Sequence, residues 1–548
     1  MLQLKKTTRG PRATLFLIPF TVLAFLLFLP VRSSACTGVY VGAEASSDGT
    51  ILLGKSNDTQ GVYPNHVIVE ESIGKADIAA RLMPIDNAES VLAVVPETTY
   101  RYTCTPYMDY SIDRLNCGRD ATVAANEKGV SMLISITAFT NQAALQADPL
   151  IDNGLTELTA ADLVVCQSDS AREAVETLAH ILDLAGSSEC NIAFIADQTE
   201  AWYVEIYTGY QYAAVKLPAD KVCVFGNEFT LEYLSDYEES VTSPNLEKLA
   251  VDNGFAKYGE NGELNLFETY SGSDMIISYS HRRTWIGHQL LAPSVYGDDY
   301  DPDFLYPLCF APDQKVSLQD VMEVLRNRFE GTPYSPDETG RTDMRVIGSV
   351  VSMSVHITQT YPDLPTEMSV VTWESTGPAL YGVFIPVSND SLRISDAYSR
   401  NQPAGENCFD TAQYPWYTFK ALNTLCMGKE NYIPYGTPVR GYWHQAETDM
   451  IAGMNTVLQN AAAMTDAAEA AEYITDYCCS MQEQAFADAK ELLNDVLWTQ
   501  AENSNTLKNG RNPETHEILD ELKPVPPVNI NLDGSIYRSI PDLKEQKG

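Results

Sequence analysis

Apolar and polar residues alternate over residues 37–42, Ser46-Ser47-Asp48-Gly49 follows, and a second apolar run covers residues 50–54. Alternation on both sides of turn-forming residues predicts a β-hairpin that folds the chain back on residue 36. Further strands are predicted over 129–137, 191–207 and 221–225, and again over 346–357, 368–372 and 380–386. Between 160 and 185 the apolar positions recur every three or four residues, the pattern of an amphipathic helix. From 447 to 502 Ala, Leu, Met and Gln are frequent while Gly and Pro nearly vanish, which predicts two or more helices. Past Asn503 the chain turns polar and carries Lys523-Pro524-Val525-Pro526-Pro527, so it reads as a surface tail.

The longest apolar run, residues 15–29, has a different context. Lys5, Lys6, Arg9 and Arg12 precede it, and the small residues Ser33 and Ala35 follow. That is the build of a secretory leader cleaved after Ala35. An uncleaved anchor is the competing reading, since the run approaches the roughly 20 residues of a membrane span, but Pro19 interrupts it. A lipoprotein signal would also use a cysteine here, yet Ser33 stands where such signals carry leucine. Cleavage makes Cys36 the first residue, with no membrane span left behind. A thiol attacks well only as thiolate, and a newly freed α-amine, with a pKa of about 7.7 to 8.0, can take its proton near neutrality.

The formal charge is −38, with 36 basic and 74 acidic residues. Such acidity argues against nucleic acid or an anionic membrane as partner and fits an exported, self-repelling protein; a homo-oligomer is compatible with it. Besides Cys36 there are ten further cysteines among the 11, an even number suited to disulfides in an oxidising compartment. Cys104 and Cys117 are close enough in sequence to bridge a local loop, whereas adjacent Cys478 and Cys479 on a helical stretch read as packing residues. No cysteine or histidine spacing matches a metal site, and no Gly-x-Ser-x-Gly elbow is present, so neither metal nor cofactor is expected. Lys55 and Asp58 follow the return strand and are expected to arrive beside Cys36, a cation favouring thiolate and a carboxylate holding the terminal ammonium or positioning the substrate, with a solvated Lys-x-x-Asp turn the competing reading.

Cys36-Thr37, Asp48-Gly49-Thr50 and Gly54-Lys55-Ser56-Asn57-Asp58 resemble the opening of the N-terminal-cysteine dipeptidases of the dipeptidase D type. These are N-terminal-nucleophile hydrolases related to penicillin V acylase and bile salt hydrolase. Similar landmarks continue in order: Asn126-Glu127-Lys128-Gly129-Val130, Gly154-Leu155-Thr156-Glu157, residues 191–205 with Trp202, Gly226-Asn227-Glu228-Phe229, Glu330-Gly331-Thr332-Pro333 and Tyr414-Pro415-Trp416. The resemblance implies an α+β fold, a four-layer αββα N-terminal-nucleophile hydrolase sandwich over 36–440; the residue pattern adds a helical region over 441–503 packed on it and a polar tail over 504–548.

The same resemblance implies roles. Cys36 would be nucleophile and, through its amine, general base; Asp58 would contact that amine; Asn126 and Asn227 would flank the reacting carbonyl. Asparagine beside glycine is also a common turn residue, so a turn role stays open for both. Arg283 matches a later active-site arginine, with Arg282 the alternative. Lys55 stands where the family usually has arginine and lacks that residue's planar fork. Tyr210 occupies a place often held by histidine and is given no catalytic role. The implied reaction is hydrolysis of dipeptides to free amino acids through a thioester on Cys36. Hydrolysis of N-acyl amides on the same fold is the alternative, and a non-catalytic exported binding protein the second.

Overall fold

The computed structural model describes residues 36–59, 64–82, 88–106, 121–272, 274–341, 343–400, 408–427, 436–509 and 537. The leader, Cys117 and most of the tail lie outside these residues. The predicted hairpin is present as β1 (Gly38–Val41) and β2 (Ile51–Asp58), antiparallel, with Gly38 opposite Lys55. Asp48 explains the turn: one carboxylate oxygen accepts from the Thr50 amide at 3.2 Å and its hydroxyl at 2.7 Å. Gly49, at φ +81°, then takes the left-handed conformation that side chains disfavour.

Two antiparallel sheets carry the fold. In the first, β1 and β2 join β10 (Val222–Phe225), β12 (Ser352–Thr360), β13 (Val370–Thr376) and β14 (Ile385–Ser388) in the order β10-β1-β2-β12-β13-β14. The second contains β3 (Ile68–Glu70), β4 (Tyr102–Pro106), β5 (Ala121–Asn126), β6 (Ser131–Leu133), β7 (Asn191–Ala196), β8 (Ala201–Ile206), β9 (Tyr212–Lys216) and β11 (Ser240–Thr242). It runs β11-β9-β8-β7-β6-β5-β4-β3.

Because side chains alternate across a strand, each sheet feeds two apolar layers. Tyr40, Ile51, Leu53 and Phe225 of the first sheet meet Val123, Leu133, Phe194 and Tyr203 of the second in a middle layer. On the second sheet's outer face Met132, Ile195, Trp202 and Val204 pack under α1 (Glu157–Val165) and α2 (Ala171–Ala185). Val39, Leu52, Ile357 and Trp373 on the first sheet's outer face meet α3 (Asp274–Leu291), α4 (Leu318–Arg326), α6 (Gly436–Ala462) and α7 (Ala467–Asn509), while α5 (Pro415–Met427) packs against α7. Helix, sheet, sheet and helix therefore stack in four layers, as expected.

Several boundaries move. The helix expected over 160–185 is two, because Ser168 turns its hydroxyl back on the Val164 carbonyl at 2.8 Å and Ser170 caps α2 through the Glu173 amide at 3.2 Å. The strand expected over 380–386 is displaced to β14, since the chain turns at 379–382 with Gly382 bonded to the Ala379 carbonyl. The helical region starts at Gly436, so α6 spans the boundary expected at 440. Tyr537, inside the expected surface tail, is buried: its hydroxyl donates to Asp488 at 2.5 Å and its carbonyl accepts from Tyr477 at 2.9 Å.

Helix α6 is also fixed by charge. The Arg326 guanidinium, fully buried, forks onto both Glu447 oxygens at 2.9 and 2.5 Å and reaches the Ala379 and Gly382 carbonyls. One Glu447 oxygen also accepts the Phe384 amide at 2.9 Å. Removing one partner of a buried pair leaves the other charge uncompensated, at a cost of about 3 to 5 kcal/mol. Glu447→Gln should lower the unfolding free energy by that order in urea titration, whereas Glu323→Gln, on an exposed edge of the same cluster, should cost less than about 1 kcal/mol.

Candidate active site

Cys36 lies at the entry of β1 with its side chain buried in the middle layer. Thr37 is held across the hairpin, its amide donating to Ser56 Oγ at 3.1 Å and its carbonyl accepting the Ser56 amide at 3.0 Å. The Asp58 amide donates to Cys36 Sγ at 3.5 Å, and Asn57 Oδ1 lies 4.0 Å from the same sulfur. An N–H aimed at sulfur favours the thiolate.

The Asp58 carboxylate faces the helical layer, where it accepts from Ser56 Oγ at 3.3 Å and from Ser352 Oγ. Ser352 reaches it because the β2–β12 register slips between Ser352 and Ser354, a bulge that re-aims one side chain. Burial raises the Asp58 pKa to about 6, against the pull of its two serine bonds, Arg283 and Lys420. The group is an anion at neutral pH that can still take a proton.

Arg283 projects from α3. Its Nη1 donates to the Cys36 carbonyl at 2.5 Å and to Thr37 Oγ1 at 3.1 Å, and its Nη2 donates to Asn227 Oδ1 at 2.8 Å. Burial brings this guanidinium down to about 10, so it remains charged. Asn227 follows β10 and donates in turn to the Thr137 carbonyl at 2.7 Å. The helix comes this close because of Gly226: a Cβ there would sit 2.8 Å from the Ser280 carbonyl oxygen. The Asn227 segment is also tied from behind, since Glu205, buried in the middle layer, accepts the Thr230 and Leu231 amides at 2.7 and 3.2 Å.

Lys55 points into the middle layer and donates to the Ile134 and Thr122 carbonyls of the second sheet. Burial lowers it to about 8, opposed by Cys36, Glu157 and Asp58. Lys55, His356 and Glu374 stand opposite one another on β2, β12 and β13, and His356 Nδ1 is 3.3 Å from Glu374. The structure thus gathers Cys36, Lys55, Asp58, Asn227 and Arg283. Lys55 and Arg283 set two buried cations near the Asp58 carboxylate and the sulfur.

Asn126 is not brought there. Its amide nitrogen donates to the Val165 and Ser168 carbonyls at 2.7 and 2.8 Å, and its oxygen accepts the Lys128 and Val130 amides, both at 3.0 Å. It clamps the β5–β6 turn to the end of α1, four residues along β5 from the Thr122 carbonyl that Lys55 touches, or roughly 13 Å at strand rise. Arg282 is directed elsewhere as well, its guanidinium lying over the rings of Tyr300 and Tyr334 at 5.1 and 5.2 Å.

Two residues at the site escaped the sequence reading. Ser135, at φ +97°, donates its hydroxyl to Asn57 Oδ1 at 3.0 Å, and the Asn57 amide nitrogen is buried with no partner among the described residues. A non-glycine residue in that conformation is strained, but strain has no signature in one sequence.

The profile of peptidase family C69 matches residues 35–444. A probable dipeptidase B from Streptococcus pyogenes serotype M6 is 30% identical over 429 residues, covering 74% of this chain and 81% of that protein. One from Lactococcus lactis is 30% identical over 424 residues, covering 73% and 82%. Among solved structures, penicillin V acylase from Agrobacterium tumefaciens aligns over 64% of this chain and 86% of its own at 11% identity, with a TM-score of 0.30.

Two outcomes follow from the placements. Asn126→Ala leaves two buried carbonyls unsatisfied and should cost on the order of 1 to 3 kcal/mol in denaturant unfolding, while turnover per folded molecule stays within about twofold. Lys55 loses its proton near pH 8 when folded but near 10.5 when unfolded. The folded state therefore carries the penalty of a buried cation in full below pH 8, and sheds it as pH rises from 8 to 10.5. In melting curves the stability of the wild type relative to Lys55→Met should rise across that window and stay flat below it.

Proposed function

The chain belongs to peptidase family C69 and is a cysteine-type hydrolase, and from that premise we propose that it is an exported dipeptidase whose nucleophile is Cys36, uncovered by removal of residues 1–35. The observation that carries this reading is the setting of Cys36: a buried sulfur at the start of a strand, receiving the Asp58 amide, with Arg283 on its own carbonyl. Chain ahead of that residue would tie its α-amine up as an amide and so remove the only base the sulfur carries with it.

The α-amine freed by cleavage takes the thiol proton. Asp58 holds the resulting ammonium, and the nearby charge of Lys55 favours the thiolate. Attack on the peptide carbonyl forms a tetrahedral oxyanion, for which the amide nitrogens of Asn57, buried with no partner among the described residues, and of Asn227 are the donors this reading assigns. The ammonium then passes its proton to the departing amino acid, leaving a thioester on Cys36. Water, deprotonated by the same amine, hydrolyses the thioester and releases the second amino acid. A small peptide suits the two cations near Cys36, because its terminal carboxylate lies close to the bond cut.

Cys36→Ser should lower kcat on dipeptides by on the order of 10³ or more with the circular dichroism spectrum unchanged, and N-terminal sequencing of the active protein should begin at Cys36. A start upstream of Cys36 in fully active protein, or faster cleavage of N-acyl amides than of any dipeptide in a mixed panel, would refute the assignment.

A further inference from the structure

Strand β10 leads directly into Gly226 and Asn227, yet it is an edge strand of its sheet. Its outer side is met by a single residue of the segment after α3: Val222 and Phe310 exchange both backbone hydrogen bonds, at 2.9 and 3.0 Å, in an isolated antiparallel bridge. In an antiparallel pair the next two residues inward face each other without hydrogen bonds, the arrangement in which Cα atoms come closest, about 4.5 Å. Those residues are Cys223 and Cys309. Their sulfurs are in contact at 3.2 Å, Cys223 buried and Cys309 partly accessible.

We propose that Cys223 and Cys309 form a disulfide that fixes the segment carrying Phe304 to Phe310 onto β10. Three observations converge. The register puts both side chains on one side of one narrow pair, within the Cα separation of about 4.4 to 6.8 Å that a disulfide accepts. Tyr40 and Tyr237 close around the sulfurs, so the pair is sheltered on the inner side. The rest of the segment is held to the core by few polar links, chiefly the Phe304 and Pro307 carbonyls on His281 and His288 at 2.8 and 3.0 Å. Phe304 and Leu305 at its tip remain exposed.

The accessible Cys309 thiol, as thiolate, attacks a small or protein disulfide and expels one of its sulfurs as a thiol. The buried Cys223 thiolate then attacks the mixed disulfide at Cys309, forming the internal S–S bond and releasing the second thiol. Two protein thiols are oxidised and one external disulfide is reduced to two thiols. The cross-link closes a loop of 86 residues in separation, the class for which unfolded-state restriction is large. Export would supply the oxidant, so the state of the bond in the cell rests on that part of the proposed function; the capacity to form it does not.

The test uses the full chain beginning at Cys36, equilibrated with oxidised and reduced glutathione, then alkylated and digested for mass spectrometry without reduction. The expected product is a peptide pair joined through Cys223 and Cys309, with Cys36 alkylated in the same sample. Dithiothreitol should lower the melting temperature of the wild type by on the order of 5 °C and leave that of Cys309→Ser unmoved. Alkylation of both cysteines after oxidation, or Cys223 or Cys309 joined to any other cysteine, would overturn the proposal. A cross-linked pair made by glutathione in the tube but absent from protein taken from the culture medium would uphold the site and count against export as its oxidant.

Discussion

Everything at the site depends on the pairing of β1 with β2. That hairpin places the two residues before β1 opposite the end of β2, so one short strand pair delivers the sulfur, Lys55, Asn57 and Asp58 to the same point. Alternation then sorts them by face. Lys55 and Asn57 join the sulfur in the layer between the sheets, while Asp58 looks toward the helices, where Arg283 and Ser352 wait. A one-residue slip in this register would exchange the two sets and separate the cation from the sulfur. The turn made by Asp48 and Gly49 is thus as much a part of the site as the groups that touch the sulfur.

Much of this was legible because it is local. Asp48-Gly49 announces the turn, and Lys55 and Asp58 lie within one strand length of it, so their arrival beside Cys36 needed no knowledge of the remaining chain. Asn227 and Arg283 were reached only through ordered landmarks, since 56 residues separate two groups that share a hydrogen bond. The same landmarks pointed to Asn126, whose side chain the structure sets at the β5–β6 turn. Its Asn-Glu-Lys-Gly context reads as strongly as any, and the turn role that competes with catalysis is the one the amide performs, with both of its atoms committed to backbone groups.

Strands were lost where burial was complete on both faces. Residues 121–126 are buried throughout and mostly small and apolar, so no alternation marked them. The opposite clue was available and harder to read. In β12 every second residue from Ser354 to Thr360 is polar, yet the whole strand is buried. A polar face inside a core is costly unless each group is bonded, and here that face is the row through His356 that runs from Lys55 to Glu374. Polar alternation commonly marks a solvent-facing strand, whereas in this fold it marks the layer that borders the site.

Two buried charge clusters solve one problem in different ways: holding a charged group without water. Arg326 and Glu447 neutralise each other in a fork, which fixes α6 on the first sheet and leaves no capacity for chemistry. Around Cys36 the charges are deliberately unequal. Asp58 is drawn on by Arg283 and Lys420, Lys55 rests on carbonyls instead of a carboxylate, and burial moves Asp58 up and Lys55 down, toward each other and toward neutrality. Groups held in that way give up stability, since each would be better solvated unfolded, but they change protonation within reach of physiological pH. The remainder of the fold must supply what the site gives up. It does so through the three continuous apolar layers and through tethers such as Glu205, a carboxylate placed where two backbone amides of the Asn227 loop converge.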